Sequence, residues 1–148
     1  MIIISHRGNV SGRNKDLENE PKHCHRLLHS KRQVEVDVWY YNNSWYLGHD
    51  SPHYEIDLDF ITLPGLWLHA KNLDAAAALR CLGVNYFCHS DDDYAVTSMG
   101  YLWVHQKFNI TECSNHALSL SVVVLPLNVD KSVLNKCYGI CVDDLNQF

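Results

Sequence analysis

Hydrophobic and polar positions alternate with a period of two over much of this chain. In "VEVDVW" (34–39), Val34, Val36 and Val38 fall on one side, with Glu35, Asp37 and Trp39 on the other. "LWLHAK" (66–71) repeats the arrangement, setting Leu66, Leu68 and Ala70 against Trp67, His69 and Lys71. "YLWVH" (101–105) alternates as well, and the runs at 85–89, 94–98, 120–126 and 138–143 read as further short strands. With the opening "IIISHRGN" (2–9), about eight strands are predicted. A hairpin-type turn at Asn42–Asn43 leads into a short strand "WYLGH" (45–49). Helical spacing is rarer. One helix follows Asn19, read as an N-cap, with Pro21 in its first turn and Cys24, Leu27 and Leu28 on one face. A second runs from Asn72 through "LDAAAALRCL" to Gly83, and a third, with weaker periodicity, lies around 130–137.

The alternation has a chemical consequence. Glu35 and Asp37 share a face about 7 Å apart along the strand, and they repel unless a cation or basic side chain lies between them. A sheet with one solvated face produces the same pattern. Tryptophans among the ionisable positions favour a lined cavity. The isoleucine run ends in His6 and Arg7, which reads either as a strand end facing water or as a base and a cation delivered to a site.

Composition narrows the alternatives. A chain of 148 residues, 47% hydrophobic and 20% charged, is read as one domain over residues 1–148, without repeats or linkers. A net charge of −5 and the lack of a basic tract argue against nucleic acid as a partner. No apolar run reaches the ~20 residues of a spanning helix, so no stable membrane insertion is expected. The start of the chain lacks a secretory pattern, and the expected location is cytoplasmic, the host cytoplasm for a viral or phage protein. The six scattered cysteines read as reduced core thiols, with disulfides left open by the even count.

The ordered set His6-Arg7-Gly8, Glu18-Asn19, Glu35-x-Asp37 and His49-Asp50 resembles the N-terminal motifs of glycerophosphodiester phosphodiesterases. Phosphatidylinositol-specific phospholipase C and the sphingomyelinase D-type phospholipases belong to the same superfamily. The resemblance extends to Lys71 and, more loosely, to "GICVDD" near the end of the chain. More specifically, the chain resembles the short phospholipase C-like phosphodiesterases of bacteria, phages and large viruses. It implies an α/β fold, a TIM (β/α)8-type barrel, here reduced, with few or short helices. Such barrels usually take at least ~200 residues, so several crossovers are expected to be loops. A thin helical coat would leave outer strand faces open to a homodimer contact.

The resemblance also implies a mechanism. A phosphodiester is an anion, so attack on phosphorus needs a neutralising charge, a base for the nucleophile and an acid for the leaving oxygen. His6 and His49 would be the acid–base pair, and Arg7 and Lys71 the phosphate-binding cations. Glu35 and Asp37 would hold one divalent cation, Mg²⁺ or Ca²⁺ by their oxygen ligands. The nucleophile would be the substrate's own neighbouring hydroxyl or water. One position departs from the pattern. Where the family places a third acidic ligand, this chain has His69, which either ligates the ion, shifting preference toward Mn²⁺ or Zn²⁺, or is a satisfied cavity histidine. His89 and His105, at the ends of candidate strands, are weaker candidates to line the cavity. The expected function is a metal-dependent phosphodiesterase acting on a small or lipid-derived phosphodiester. The alternative is a non-catalytic phosphate-ligand binder on the same fold.

Overall fold

In the computed structural model, which describes residues 1–126 and 128–148, the isoleucine run forms β1 (Ile2–His6) and the alternating stretch lies within a long β2 (Gln33–Tyr41). Between them α1 (Pro21–His29) is capped by Glu20, whose carboxylate accepts from the Lys22 and His23 amides at 3.1 and 2.6 Å. Asn19, expected to be that cap, sits instead at φ +59°, a left-handed conformation that asparagine tolerates. β2 turns through Asn42 and Asn43, both at positive φ as a type I′ hairpin requires, into β3 (Ser44–Leu47).

A further strand, β4 (Tyr54–Ile56), and a short helix, α2 (Leu58–Ile61), were not legible in the hydrophobic pattern. β5 (Leu66–Ala70) holds the second alternating run, and α3 (Leu73–Arg80) starts where Asn72 accepts from the Ala75 amide. Then come β6 (Tyr86–Phe87), β7 (Tyr94–Val96), β8 (Leu102–Val104), a 3₁₀ turn (Ile110–Glu112) and α4 (Asn115–Leu120). β9 (Ser121–Val124), α5 (Lys131–Leu134) and β10 (Gly139–Val142) complete the described elements.

All these strands belong to one sheet. Parallel pairing runs β6–β5–β2–β1–β10–β9–β8, while β3 pairs β2, β4 pairs β3 and β7 pairs β8 antiparallel. β5 occupies one edge of β2 from Val34 to Val38, so β1 and β3 follow each other along the other edge. The β3–β4 hairpin therefore stands beyond the end of β1, beside His6.

This topology overturns the expected barrel. The sheet is a curled, mixed half-barrel, and strands and helices do not alternate around it as a (β/α)8 barrel requires. Chain length is the physical reason. Eight units in 148 residues leave about 18 residues each, whereas a barrel of at least ~200 residues gives each unit ~25 or more. The β2–β3–β4 meander and the β7–β8 hairpin replace crossovers with turns, which forces antiparallel pairs.

Three apolar clusters hold the sheet. On the outer face Val34, Val36, Val38, Leu66 and Leu68 pack against α1 and α3 through Leu27, Leu28, Ala75 and Leu79. Val123, Ile140 and Val142 pack with Leu118 of α4 and Leu134 of α5. Inside the curl, Trp67, Phe87, Trp103, Ile4 and Cys141 form a third, aromatic cluster. The concave face is thus filled by side chains near its middle, with the ionisable residues above. The six cysteines are free, and Cys81 and Cys88 are exposed rather than core thiols. No helix among the described residues is long and apolar enough to cross a membrane.

Candidate metal centre and acid–base site

Strand register brings the ionisable residues together. β1 sets His6 opposite Glu35, and β5 sets His69 opposite Asp37. Lys71 follows β5, and Asp143 follows β10, the other neighbour of β1. His6, His69, Lys71 and Asp143 stand at or just past the carboxyl ends of their parallel strands, and register sets Glu35 and Asp37, within β2, opposite His6 and His69.

Glu35 and Asp37 are both buried. Asp37 Oδ1 lies 3.0 Å from His69 Nδ1 and 3.4 Å from Lys71 Nζ, while its Oδ2 lies 3.2 Å from Arg7 Nε. Asn19 clamps the same carboxylate, donating from Nδ2 to Oδ2 at 3.0 Å and accepting from the Asp37 amide at 2.9 Å. Oδ1 itself makes no hydrogen bond, although it is buried. A buried carboxylate oxygen with ion-pair neighbours but no aligned hydrogen bond calls for an explanation. Here one ligand atom each from Glu35, Asp37 and His69 lies within 4.8 Å of the others, a spacing a single cation could bridge.

His69 is held by its surroundings. Its ring stacks on Phe87 and His89 with nearly parallel planes, at 5.0 and 4.5 Å between centroids, and those two rings are themselves 5.9 Å apart, side by side against it. Its Nε2 lies 3.3 Å from the His89 carbonyl oxygen. Nδ1 is left to face the two carboxylates, 3.0 Å from Asp37 Oδ1 and 4.0 Å from Glu35 Oε1.

His6 forms the second part of the site. Its Nδ1 is hydrogen-bonded to Asp143 Oδ1 at 2.8 Å, and its Nε2 points toward Glu35 Oε2 at 4.0 Å. Asn9 Nδ2 donates to the same Asp143 oxygen at 2.8 Å and to Glu18 Oε1 at 3.2 Å, tying the loop after β1 to the end of β10. Arg7 leaves the strand at φ +54°, donates its amide to Glu35 Oε2 at 3.1 Å and reaches Glu18 with its guanidinium at 3.4 Å. Gly8 continues the turn at φ +86°, and a Cβ there would meet Cys24 Sγ at 3.0 Å.

These neighbours set the protonation states. Burial works to lower the His6 pKa, but the Asp143 hydrogen bond and the Glu35 charge outweigh it, and the net shift is upward. Burial and the adjacent Asp37 charge raise Glu35. Asp37 goes the other way. Burial opposes its charge, yet facing His69, Lys71 and Arg7 holds it well below the usual carboxylate range. Asp143 is likewise lowered, its burial outweighed by the His6 bond. Burial and His69 push His89 down to about 4, so that ring is neutral at physiological pH.

Of the residues read from the sequence, six converge here: His6, Arg7, Glu35, Asp37, His69 and Lys71. His49 does not join them. The Gly48 amide donates to the Asp37 carbonyl at 3.1 Å, so His49 begins beside the site. Its side chain then turns outward, 40% exposed, to pair with Asp50 at 2.6 Å. It lines a neighbouring cleft of about 280 Å³ with Arg13, Lys15, Glu18 and Asn19. Arg7 is engaged by carboxylates rather than presenting a free fork. Sequence reasoning did not assign Asp143, Asn9 or the Asn19 clamp. A signal existed for Asp143, since two adjacent aspartates end the last strand, but none marks Asn9. No known protein family, curated protein or solved structure matches this chain.

Proposed function

We propose that the protein is a metal-dependent phosphodiesterase, a phosphoric diester hydrolase acting on a small or lipid-derived phosphodiester. The observation that carries this reading is the buried cluster of Glu35, Asp37 and His69, its ligand atoms within 4.8 Å of one another, with the His6–Asp143 pair beside it. A divalent cation held by Glu35, Asp37 and His69 would supply Lewis acidity and neutralise charge on a phosphate oxygen. The order of motifs along the chain, similar to that of glycerophosphodiester phosphodiesterases, points the same way.

The chain's own residues take the remaining roles. Asp143 holds His6 through Nδ1, so Nε2 is the nitrogen free to exchange a proton with substrate. Its raised pKa keeps a protonated fraction present near neutrality, which suits protonation of a leaving oxygen. Lys71 and Arg7 flank Asp37 and keep positive charge at the place where a phosphate anion would sit. His49 is the proposed second proton carrier, and it serves only when its ring leaves Asp50 and turns in from the adjacent cleft.

That last requirement favours a second reading. With His49 paired to Asp50, the same rim binds a phosphate ligand without turning it over. A panel of chromogenic and natural phosphodiesters, assayed with Mg²⁺ or Mn²⁺ and after EDTA, separates the two. Turnover abolished by EDTA and restored by metal supports the enzyme. Binding of phosphate compounds without turnover of any of them overturns it in favour of the binder.

A further inference from the structure

We infer that the ion held by Glu35, Asp37 and His69 is a first-row transition ion of the Mn²⁺-to-Zn²⁺ class, in preference to Mg²⁺ or Ca²⁺. This rests on the metal reading above and deepens it.

The first argument is the His69 ring. Its Nε2 faces the His89 carbonyl at 3.3 Å, which leaves Nδ1 turned toward the carboxylates, 3.0 Å from Asp37 Oδ1 and 4.0 Å from Glu35 Oε1. One atom each from Glu35, Asp37 and His69 lies within 4.8 Å of the others, so a single ion there takes an imidazole nitrogen together with two carboxylate oxygens. Ligands roughly 2.1 Å from one ion and at right angles are about 3.0 Å apart, whereas Ca²⁺, with bonds of ~2.3–2.6 Å, spreads them further.

The second argument is rigidity. Phe87 and His89 stack on the ring with nearly parallel planes, at 5.0 and 4.5 Å between centroids, and fix its orientation, so imidazole is a built-in ligand and not an adaptable neighbour. The third is charge. Mg²⁺ and Ca²⁺ are held mainly by negative charge from oxygen ligands. Here Arg7 and Lys71 already offset Asp37 from two sides, at 3.2 and 3.4 Å. Donation from an imidazole nitrogen does not depend on that charge, and ions that accept it are favoured.

The test uses the full chain loaded with Mn²⁺. Electron spin echo measurements should show modulation from one imidazole ¹⁴N, lost in His69→Asp and kept in His6→Gln. Competition titrations should give tighter binding of Mn²⁺ than of Mg²⁺, and His69→Asp should narrow that ratio on the order of tenfold or more. The wild-type spectrum alone decides the matter where the variant fails to fold. Mn²⁺ bound without nitrogen modulation, or an unchanged ratio in folded His69→Asp, overturns this inference and leaves the metal reading standing. Failure of wild type to bind any of Mn²⁺, Zn²⁺ and Mg²⁺ overturns the metal reading itself.

Discussion

Asn19 holds Asp37 at two points, its Oδ1 on the Asp37 amide at 2.9 Å and its Nδ2 on Asp37 Oδ2 at 3.0 Å. One amide side chain thereby fixes both the strand position and the rotation of a buried carboxylate. Oδ2 is spoken for by Asn19 and Arg7, which leaves Oδ1 turned toward His69 and Lys71. Asn19→Gly keeps the left-handed backbone available but removes the clamp, and should cost about 1–3 kcal/mol. Asn19→Ala should cost ~1 kcal/mol more, because alanine at φ +59° is strained. Urea denaturation of the two variants beside wild type checks both the loss and its order.

The two strand carboxylates should respond oppositely to neutralisation. Asp37 is flanked by Arg7 and Lys71, and Asp37→Asn leaves those two charges buried without their partner. A loss of roughly 3–5 kcal/mol is expected. Glu35 is raised by burial and by Asp37, so its ionised form is costly in the folded state. That cost grows as pH rises above the ordinary glutamate value, and Glu35→Gln removes it. In EDTA at pH 8, Glu35→Gln should match or exceed wild type in denaturation midpoint while Asp37→Asn falls well below it. Equal losses in the two variants would contradict the assigned charge states.

Stability should also depend on pH through His6 and Asp143. The His6 pKa is raised in the folded state, so its contribution is complete below its ordinary value of 6.5 and is lost as pH rises through the raised one. Asp143 is lowered, so its contribution holds above 3.8 and is lost only as pH falls through the lowered value. Between these limits the pair is a charged hydrogen bond, on the order of 1.5–3 kcal/mol. Asp143→Asn should therefore cost more stability at pH 6 than at pH 9, measured by thermal melts in the two buffers.

For the proposed reaction, His6→Ala should lower kcat by ~10²–10⁴ with little change in KM. Asp143→Asn acts through His6, so it should displace the acid or base limb of the pH–rate profile toward lower pH. His49→Ala should resemble His6→Ala, and the double variant should be barely worse than either, since residues acting as a unit are not additive. Steady-state kinetics on one chromogenic diester test all three. Unchanged kcat in His49→Ala removes His49 from the mechanism, and unchanged kcat in His6→Ala ends the enzyme reading.

The sequence by itself determined what local periodicity can encode. Alternation placed Glu35 and Asp37 on one face of β2, and His69 and Lys71 on one side of the "LWLHAK" run. Asn42–Asn43 specified the hairpin by its left-handed preference, and Asn72 marked the start of α3. Only the tertiary structure decided which strands adjoin, because register is a contact between distant segments and leaves no periodic trace in either one. His6 meets Asp143 across 137 residues, and that pairing exists because β10 lies beside β1 in the sheet. The same applies to the architecture: eight strands were countable, but whether turns or helices join them, and so whether a barrel closes, depends on connections that alternation does not describe. His49 is the sharpest case. Its place in the chain matched a motif, yet its side chain pairs with Asp50 in an adjacent cleft, because side-chain direction after a turn is set by neighbours and not by order along the chain.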